Sequence, residues 1–360
     1  MAINNTVVRK WLAPIAFGLL AVTNFAGAAT TTKIPTGTNV VDLVGINVSG
    51  AEFTPGTLPG VHGKHYFFPP KDYFQKWSEK GIRTIRFPLK WERLQPSLNK
   101  GFDSTYAGLI DKMLNQAAEN DIEVILDVHN YARYRGKIIG SKEVPYSAYR
   151  NLTERMAQRW SKHPGLYGYD IMNEPYGTAD KNWPTAAQHG INGIRRYDRE
   201  HPILIEGMSY SSASRWHWYA DRYLALNDPI DNLIFSAHVY LDSDGSGTYK
   251  SGPGSKFDMM VGVKRVQPFV KWLKKHNKRG HIGEIGIPGN DARWLKAMDN
   301  TMAYLQENCI PLTYFAAGPA WGTHKLSIEP DKKTGKDKSQ WKVMQKYVGE
   351  GGCPEIGPTP

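Results

Sequence analysis

Two glutamates stand where apolar segments end or are interrupted, and they could carry out acid and base chemistry. Glu174 follows an apolar run in "YDIMNEP" (169–175), and Glu284 lies inside "HIGEIGIP" (281–288). Strands of a parallel sheet are buried on both faces, so an ionisable residue is expected where such a strand meets a cleft or water. Two carboxylates at one cleft, without evident metal ligands, fit the general acid and the nucleophile of a glycosidase.

The distance between the two carboxyl groups would decide the stereochemistry of such a reaction. Carboxyl groups about 5 Å apart retain configuration through a covalent glycosyl-enzyme, whereas a separation of roughly 6.5–9.5 Å admits a water molecule and inverts it. The residues themselves leave both outcomes open.

Apolar, β-branched segments recur along the chain and alternate with segments of helical period. They begin at Val40, Ile82, Ile122, Leu166, Pro202, Leu233, His281 and Pro311. Apolar residues fall on one helical face over 106–117 and again over 149–160. Strand then helix, repeated eight times, predicts an α/β fold, a single-domain (β/α)8 TIM barrel. A doubly wound sheet could use similar segments, but no Gly-rich phosphate-binding turn follows the first strand.

In such barrels the functional side chains come from the C-terminal ends of the strands. The polar and aromatic residues at the predicted strand ends are Asn47, Arg86, His129, Asn173, Glu174, His238, Tyr240, Glu284 and Trp321. Glu174 ends the fourth strand and Glu284 interrupts the seventh. We therefore expect both carboxylates at the same mouth of the barrel.

The ordered set of motifs resembles glycoside hydrolase family 5 over nearly the whole chain after residue 28. "YDIMNEP" and "HIGEIG" carry the resemblance on the fourth and seventh strands. "DVHNYARYRGKIIG" (127–140) and "HVYLDSDGSGT" (238–248) closely resemble segments of the endo-β-1,4-glucanases of that family. The resemblance implies a retaining mechanism in which Glu174 is the acid/base and Glu284 the nucleophile.

The resemblance also implies roles for the residues around the two glutamates. Asn173 would hydrogen-bond the sugar 2-hydroxyl. Arg86 would hold Glu284 ionised, because a nearby cation lowers the pKa of a carboxylate, and Tyr240 would assist the same nucleophile. His129 and His238 would line the site as partners of the substrate and of the carboxylates, although either could instead be a hydrogen-bonded core histidine.

Aromatic residues follow several predicted strands, and sugar rings stack on flat side chains. The candidates around the mouth are Trp91, Tyr131, Tyr134, Trp183, Trp216, Trp218 and Trp321. We expect Trp321 first, and Trp183 next, to form stacking platforms. Family members usually carry a tryptophan near the end of the eighth strand. In "YFAAGPAWG" (314–322) that position falls to Trp321, since Phe315 comes too early unless the strand register shifts.

The first residues have the pattern of a signal peptide. Arg9 and Lys10 precede an apolar run over 11–25, and "AGA" (26–28) fits an Ala-x-Ala cleavage site. The run is too short for a membrane span, which needs about 20 apolar residues. We predict a signal peptide over 1–28 and one catalytic domain over 29–360, exported and without membrane contact after processing.

The charge distribution and the two cysteines bear on three possibilities: nucleic-acid binding, a disulfide and a metal site. The formal net charge is +11, and much of it lies in "KWLKKHNKR" (271–279) and "DKKTGKDKSQWK" (331–342), which are typical of solvated faces rather than nucleic-acid grooves. Cys309 and Cys353 are the two cysteines. In an oxidising compartment they could form a disulfide worth on the order of 4 kcal/mol, or remain unrelated thiols. Neither the spacing of the two cysteines nor the residues near them in sequence indicate a metal site.

The sequence thus predicts an exported, retaining endo-glycosidase that cuts internal β-1,4-glucosidic bonds of cellulose-like glucans. Polysaccharide is the expected partner; no cofactor, metal or nucleic acid is implied, and a monomer is the default. The alternatives are the same chemistry on a mannan, mixed-linkage glucan, xyloglucan or bacterial exopolysaccharide, a transglycosylase, or a non-catalytic glycan-binding barrel.

Overall fold

Eight parallel strands close into a barrel in the computed structural model, which describes residues 41–349 and 352–358. In chain order they are β1 Val44–Val48, β2 Thr84–Leu89, β3 Glu123–Val128, β4 Leu166–Asp170, β5 Ile203–Glu206, β6 Leu233–Tyr240, β7 Gly280–Gly286 and β8 Leu312–Ala317. Each strand pairs with its sequence neighbours, and β8 pairs with β1. The predicted (β/α)8 fold is confirmed, while the predicted signal peptide lies outside the described residues.

Helices surround the barrel, although not every strand is followed by a long one. The α-helices are Gln75–Ser78, Trp91–Leu94, Ser104–Ala118, Tyr146–Trp160, Trp183–Ile194, Val261–His276, Ala292–Glu307 and Ser339–Met344, and the 3₁₀ helices are Gly177–Asn182, Ala213–Trp218 and Ala220–Ala225. After β5 the chain forms a short turn over Met208–Ser211 and the two later 3₁₀ helices instead of a long α-helix. The expected eightfold strand and helix alternation is therefore incomplete at this position.

The helix Ser104–Ala118 shows how the sequence pattern becomes structure. Asp103 precedes it, and the Asp103 carboxylate accepts the backbone N–H of Tyr106 at 2.7 Å, which satisfies one of the unpaired donors of the first turn. Tyr106, Ile110 and Leu114 lie on the buried face, as the 3.6-residue period predicts. Burial of that stripe against the barrel holds the helix in place.

The N-terminal end of the barrel is closed by the C-terminal tail. Cys309 and Cys353 form the predicted disulfide. The N–H of Val41 donates to the carbonyl of Cys353 at 2.9 Å, and the N–H of Gly357 donates to that of Cys309 at 2.7 Å. The N–H of Gly280 in turn donates to the carbonyl of Gly357 at 2.8 Å.

No helix within 41–349 or 352–358 is long and apolar enough to cross a membrane.

Candidate active site

Both predicted catalytic glutamates lie at the C-terminal end of the barrel. Glu174 follows β4, and Glu284 lies on β7 beside His238 of β6. One carboxylate oxygen from each glutamate and one ring nitrogen of His238 all lie within 4.8 Å of one another. This separation is closer to the roughly 5 Å spacing of retaining glycosidases than to the 6.5–9.5 Å spacing of inverting ones.

Arg86 is fully buried at the centre of the site, and its guanidinium contacts only protein groups. Its Nε donates to Asp170 at 2.8 Å, its Nη1 to Asn47 at 3.0 Å and to Glu284 at 3.1 Å. Its Nη2 donates to Asn173 and Glu206 at 2.9 and 2.8 Å. The five N–H groups all have protein acceptors, so Arg86 is placed to hold Glu284 and the neighbouring carboxylates, as the sequence predicts, and not to contact substrate itself.

Two donors fix the Glu284 carboxylate. Arg86 Nη1 reaches Oε1, and the Tyr240 hydroxyl donates to Oε2 at 2.6 Å. Burial and the adjacent Glu284 charge raise the pKa of Tyr240 well above its ordinary value, so the phenol remains a donor at every pH of interest. Both contacts fix the position of the Glu284 carboxylate.

Glu174 is held by its backbone as well as by its side chain. Its φ is +43°, in the left-handed region that non-glycine residues rarely adopt, and its N–H donates to Glu206 Oε2 at 2.6 Å. Its Oε1 lies 2.8 Å from Nδ1 of His238. Burial raises the pKa of Glu174 above its ordinary value, although His238 opposes the shift. A carboxyl in this state can keep its proton closer to neutral pH.

His238 connects the two catalytic glutamates to a third, buried carboxylate. Its Nε2 lies 2.9 Å from Glu206 Oε1, and its Nδ1 lies 3.6 Å from Glu284 Oε2. Burial alone would lower the pKa of His238, but Glu206 and Glu284 raise it well above its ordinary value. For Glu206, burial is outweighed by His238 and Arg86, which lower its pKa to about 2. His238 is thus a buried imidazolium.

Two further buried acids complete the charge cluster around Arg86. Asp127 Oδ2 lies 3.1 Å from Arg86 Nη2 and accepts from Nδ1 of His129 at 2.7 Å. Burial and the neighbouring Glu206 charge raise the pKa of Asp170 well above its ordinary value. The cluster holds more acidic groups than cations, which favours the protonated form of Asp170, although Arg86 opposes the shift.

Asn173 and His129 lie against the buried charge cluster, Asn173 beside Arg86 and His129 beside Asp127. Asn173 uses its Oδ1 to accept from Arg86, while its buried Nδ2 has no hydrogen-bond partner among the described residues. His129 is mostly buried, and its Nε2 lies 3.3 Å from the Tyr131 hydroxyl. Burial opposes charge on His129, but Asp127 raises its pKa above the ordinary value. A buried donor without an acceptor is costly, so the Nδ2 of Asn173 is a group for which a partner is expected.

Several aromatic residues predicted at the mouth belong to the core instead. Trp183 is fully buried, and its Nε1 donates to the backbone carbonyl of Glu206 at 2.7 Å. Trp91 and Trp216 are fully buried as well. The prediction that Trp183 forms a stacking platform is wrong, because its residue begins the helix Trp183–Ile194 and its ring packs inward against the barrel. Its contribution is to hold the strand end that carries Glu206.

The end of β8 presents two aromatic rings to the site. The pairing of β1 with β8 shifts register between Tyr314 and Ala317, which brings half-buried Phe315 to the strand end. The Phe315 ring lies 6.5 Å from that of Tyr240, the donor to Glu284, and 5.4 Å from that of half-buried Trp321. The register therefore does shift, which is the condition under which Phe315 is expected to take the strand-end position.

A cavity of about 560 Å³ opens beside Glu174 and His238 and continues the site toward β5 and β6; we call it the cleft. Its lining includes Tyr131, Glu174, Ser209, Tyr210, Ser212, Ser214, Arg215, His238, Val239, Tyr240, Asp244, Gly245, Ser246 and Arg265. The segment "DSDGSG" (242–247) forms part of this wall. Its Asp242 carboxylate accepts the backbone N–H groups of Gly247 and Tyr249 at 3.1 Å each, so the carboxylate stabilises the turn.

The sequence reasoning missed several residues of the site. Asp127, Asp170 and Glu206 interrupt apolar strands in "ILDVH", "YGYDI" and "LIEG", the same signal that identified Glu284, and they could have been found by it. Tyr210 carries no comparable signal, because its position depends on a left-handed turn.

A metal ion is conceivable on distances alone. Within residues 41–349 and 352–358, the ligand atoms of Glu174, His238 and Glu284 lie within 4.8 Å of one another, close enough to hold one metal ion. However, Arg86 and Tyr240 already donate to Glu284, and His238 lies against Glu174. A guanidinium beside the site also repels a cation. These donors suit sugar chemistry better than metal binding.

Comparisons with known proteins agree with this geometry. The family described as cellulase, glycosyl hydrolase family 5, matches residues 39–320. A probable endo-beta-1,4-glucanase B of Aspergillus oryzae is 32% identical over 316 residues, covering 86% of this chain and 92% of that protein.

Solved structures give the same result. The endoglucanase Cel5A of Pseudomonas stutzeri in complex with cellobiose shares 46% identity at a TM-score of 0.85, covering 89% of this chain and 98% of that one. An endo-beta-1,4-glucanase of Xanthomonas axonopodis pv. citri shares 33% identity at a TM-score of 0.80, covering 86% and 98%. This chain belongs to glycoside hydrolase family 5.

Proposed function

We propose that the protein is a retaining endo-β-1,4-glucanase that cuts internal bonds of cellulose-like glucans. The observation that carries the proposal is the pair of carboxylates, with oxygens within 4.8 Å, at the C-terminal end of the barrel. Of the two, Glu284 is paired with a guanidinium, while Glu174 has a raised pKa. Different surroundings thus give the two groups different roles.

In the first step Glu174 donates its proton to the glycosidic oxygen as Glu284 attacks the anomeric carbon. The bond to the leaving sugar breaks, and a covalent glycosyl-enzyme forms on Glu284. In the second step Glu174, now a carboxylate, takes a proton from water, whose oxygen displaces Glu284 and releases the sugar with its original configuration. The raised pKa of Glu174 supports the acid role, and the His238 contact keeps its Oε1 in place.

Neighbouring residues support both steps. Arg86 and Tyr240 hold Glu284 for attack, and the unpaired Nδ2 of Asn173 donates to the sugar 2-hydroxyl. His129 lines the site from β3 beside Tyr131. Trp321, with Phe315, offers aromatic surface on the Glu284 side of the site. No cofactor or metal is part of this proposal.

The choice of β-1,4-glucan follows the relatives. The Aspergillus and Xanthomonas proteins are named endo-beta-1,4-glucanases, and the Pseudomonas structure holds cellobiose. We further propose export through removal of residues 1–28, which N-terminal sequencing of the secreted enzyme would test, and a monomeric enzyme, which its sedimentation would test.

The first test follows viscosity and reducing ends together on carboxymethyl-cellulose, beside a β-1,4-mannan and a β-1,3-glucan. A steep fall in viscosity with few new ends on the cellulose derivative alone is the expected result. Activity confined to another polymer would show that the proposed substrate is wrong but would leave the proposed mechanism standing. Larger products at high substrate concentration would indicate a transglycosylase, and binding without turnover a glycan-binding barrel.

A further inference from the structure

A second concave surface of the barrel shares no lining residue with the cleft. It is formed by residues of the 3₁₀ helix Ala213–Trp218 and of the helix Val261–His276, and its volume is about 440 Å³. We call it the outer groove. Its lining includes His217, Lys264, Gln267, Pro268, Lys271 and Lys275.

The lysines of the outer groove form a stripe of like charge. Lys264, Lys271 and Lys275 are exposed and lie on one face of the helix Val261–His276, as its period requires. Lys264 has a partner, because its Nζ lies 2.7 Å from Asp258 Oδ2. Lys271 and Lys275 form no ion pair with any residue of 41–349 or 352–358. They stand four residues apart on the helix, where like charges repel each other.

An acid at the edge of the outer groove leaves these two charges unneutralised. Asp221 also lines the groove, and its Oδ1 accepts from Nε1 of Trp272 at 2.8 Å. The same oxygen lies 3.4 Å from Nε2 of His276. Asp221 is thus engaged by an indole and an imidazole, and the groove keeps an excess of positive charge. An anionic ligand is the partner that this charge favours.

An exposed tryptophan stands beside the outer groove. Trp218 is 70% exposed, the highest value among the large hydrophobic residues that the structure describes. Its ring centroid lies 5.7 Å from that of His217, which lines the groove. Trp216, two residues earlier in the same 3₁₀ helix, is fully buried in the core. An indole left open next to a groove is a flat surface on which the apolar face of a sugar ring can stack.

The composition and the position of the outer groove favour an acidic polysaccharide over other polyanions. Among the described residues, its lining contains lysine but no arginine, whereas arginine is the usual choice for phosphate and nucleic-acid recognition. The groove also adjoins the cleft, because Arg215 lines the cleft and His217, in the same 3₁₀ helix, lines the groove. Both sites therefore flank one short helix.

We propose that the outer groove binds a polysaccharide that carries carboxylate groups, such as a chain of uronic acids. Lys271 and Lys275 pair with the carboxylates, and Trp218 stacks on a sugar ring. The choice of a glycan rests on the proposed function, because the groove adjoins the proposed catalytic cleft. The site holds the basic enzyme on acidic polysaccharide and raises its local concentration there, without taking part in bond cleavage.

Direct binding tests the outer groove. The probe is a fluorescently labelled hexamer of galacturonic acid, and its binding is followed by fluorescence anisotropy at low salt, where exposed charges are least screened. We expect Lys271→Gln combined with Lys275→Gln to weaken binding about 3–10-fold, in line with the loss of two exposed ion pairs. Trp218→Ala should weaken it about 3–10-fold through the loss of one stacking contact. The methyl-esterified hexamer has the same sugars without the charge and should not distinguish the lysine variant from the wild type.

A matched variant separates the outer groove from the general basicity of the protein. Lys332→Gln combined with Lys333→Gln removes the same charge from two exposed lysines of the second basic run and should leave the affinity for the hexamer unchanged. Equal losses in the two lysine pairs, or no loss in Trp218→Ala, would overturn the site. An oligonucleotide or phosphatidylglycerol vesicles bound more tightly than the hexamer, with the same dependence on Lys271 and Lys275, would overturn the assignment to polysaccharide.

Turnover of cellopentaose distinguishes a failure of this inference from a failure of the proposed function. Lys271→Gln with Lys275→Gln, and Trp218→Ala, should keep kcat/KM for cellopentaose at the wild-type value, because the reaction takes place in the cleft. A reduced kcat/KM in these variants would contradict a separate site. A wild-type enzyme that cuts cellopentaose but does not bind the hexamer would overturn the outer groove alone. One that binds the hexamer through Lys271 and Lys275 but cuts no glucan would overturn the proposed function alone.

Discussion

The two ends of the barrel each contain a buried histidine, and the pKa values of the two side chains are shifted in opposite directions. His238 near the C-terminal end and His281 at the start of β7 are both 4% exposed. His238 lies among Glu174, Glu206 and Glu284, which raise its pKa. His281 faces the hydroxyls of Ser236 and Thr313 at 3.2 and 3.4 Å, and burial lowers its pKa to about 3, with Arg86 and His238 adding to the shift.

Both histidines are equally buried, so the difference between their pKa shifts comes from their neighbours. At the N-terminal end a cavity of about 270 Å³ is lined mostly by apolar residues such as Ile125, Leu204 and Ile234, and the disulfide-bonded tail closes that end. At the C-terminal end, acidic side chains converge on Arg86. At the C-terminal end, buried charges hold the catalytic groups. At the N-terminal end, apolar packing stabilises the fold.

The largest contrast should come from replacing glutamates at the two ends. We expect Glu174→Ala to lower kcat on polysaccharide by about 10²–10⁴-fold, the usual contribution of a general acid or base, and Glu284→Ala to lower it at least as far. Glu123→Gln changes a carboxylate that lines the N-terminal cavity and should leave kcat within about twofold of the wild type, since the active sites of such barrels lie at the opposite end. Comparable losses in all three variants would remove the distinction between the ends.

Azide rescue sharpens the roles of the two glutamates. In Glu174→Ala the glycosyl-enzyme still forms from an activated substrate, and azide should capture it with retained configuration. In Glu284→Ala azide should attack the substrate directly and give the opposite anomer. The product anomers are read by NMR, and the same anomer from both variants would contradict the assignment.

Much of this arrangement could be predicted from the sequence, because it depends on periodicity. The pattern of apolar strands and amphipathic helices predicted the barrel. The polar residues at the strand ends predicted that Glu174 and Glu284 lie at its C-terminal end. What periodicity does not supply is the direction of a long side chain. Trp183 follows β4 as a platform residue would, yet its ring turns inward and donates to the carbonyl of Glu206.

The remaining failures have local physical causes. Phe315 reaches the site because the register of β8 against β1 shifts, and no pattern in "YFAAGPAWG" specifies that shift. Tyr210 faces the cleft through three left-handed residues, which normally indicate glycine or asparagine in a sequence. The charge of His238 depends on Glu206, which is distant in sequence and meets it only in the closed barrel.

Glu206→Gln removes the buried anion shared by Arg86 and His238. We expect a loss of about 3–5 kcal/mol in the free energy of unfolding at pH 7, because both cations lose a partner. The pKa of Glu206 is lowered from 4.5 to about 2, so its stabilising charge is present above pH 4.5 and is lost as pH falls toward 2. The difference between wild type and variant, measured by urea unfolding, should therefore shrink over that range. A constant difference would show that the charge is not responsible.

At the N-terminal end, removing the disulfide should affect stability and not catalysis. Cys309→Ala combined with Cys353→Ala opens a loop with a sequence separation of 44 residues. A cost of about 2–4 kcal/mol in unfolding free energy is expected, since the unfolded chain gains freedom. The kcat of the folded variant should stay at the wild-type value, because the bridge lies at the opposite end from Glu174. A reduced kcat in a fully folded variant would couple the tail to the active site.

The smallest effect is expected at His281, where the comparison can be tested directly. In the folded protein the pKa of His281 is lowered to about 3. Below pH 6.5 the unfolded chain therefore binds a proton that the folded protein does not bind, and stability is lost as pH falls. At pH 5 this loss amounts to about 2 kcal/mol. His281→Gln cannot gain that proton, so its unfolding free energy should fall by about 2 kcal/mol less than that of the wild type between pH 7 and pH 5. Its kcat should be unchanged, because the His281 ring contacts the hydroxyls of Ser236 and Thr313 and neither catalytic glutamate. An identical pH dependence in the two proteins would mean that His281 binds its proton in the folded barrel at the ordinary pKa, and that burial does not keep it neutral.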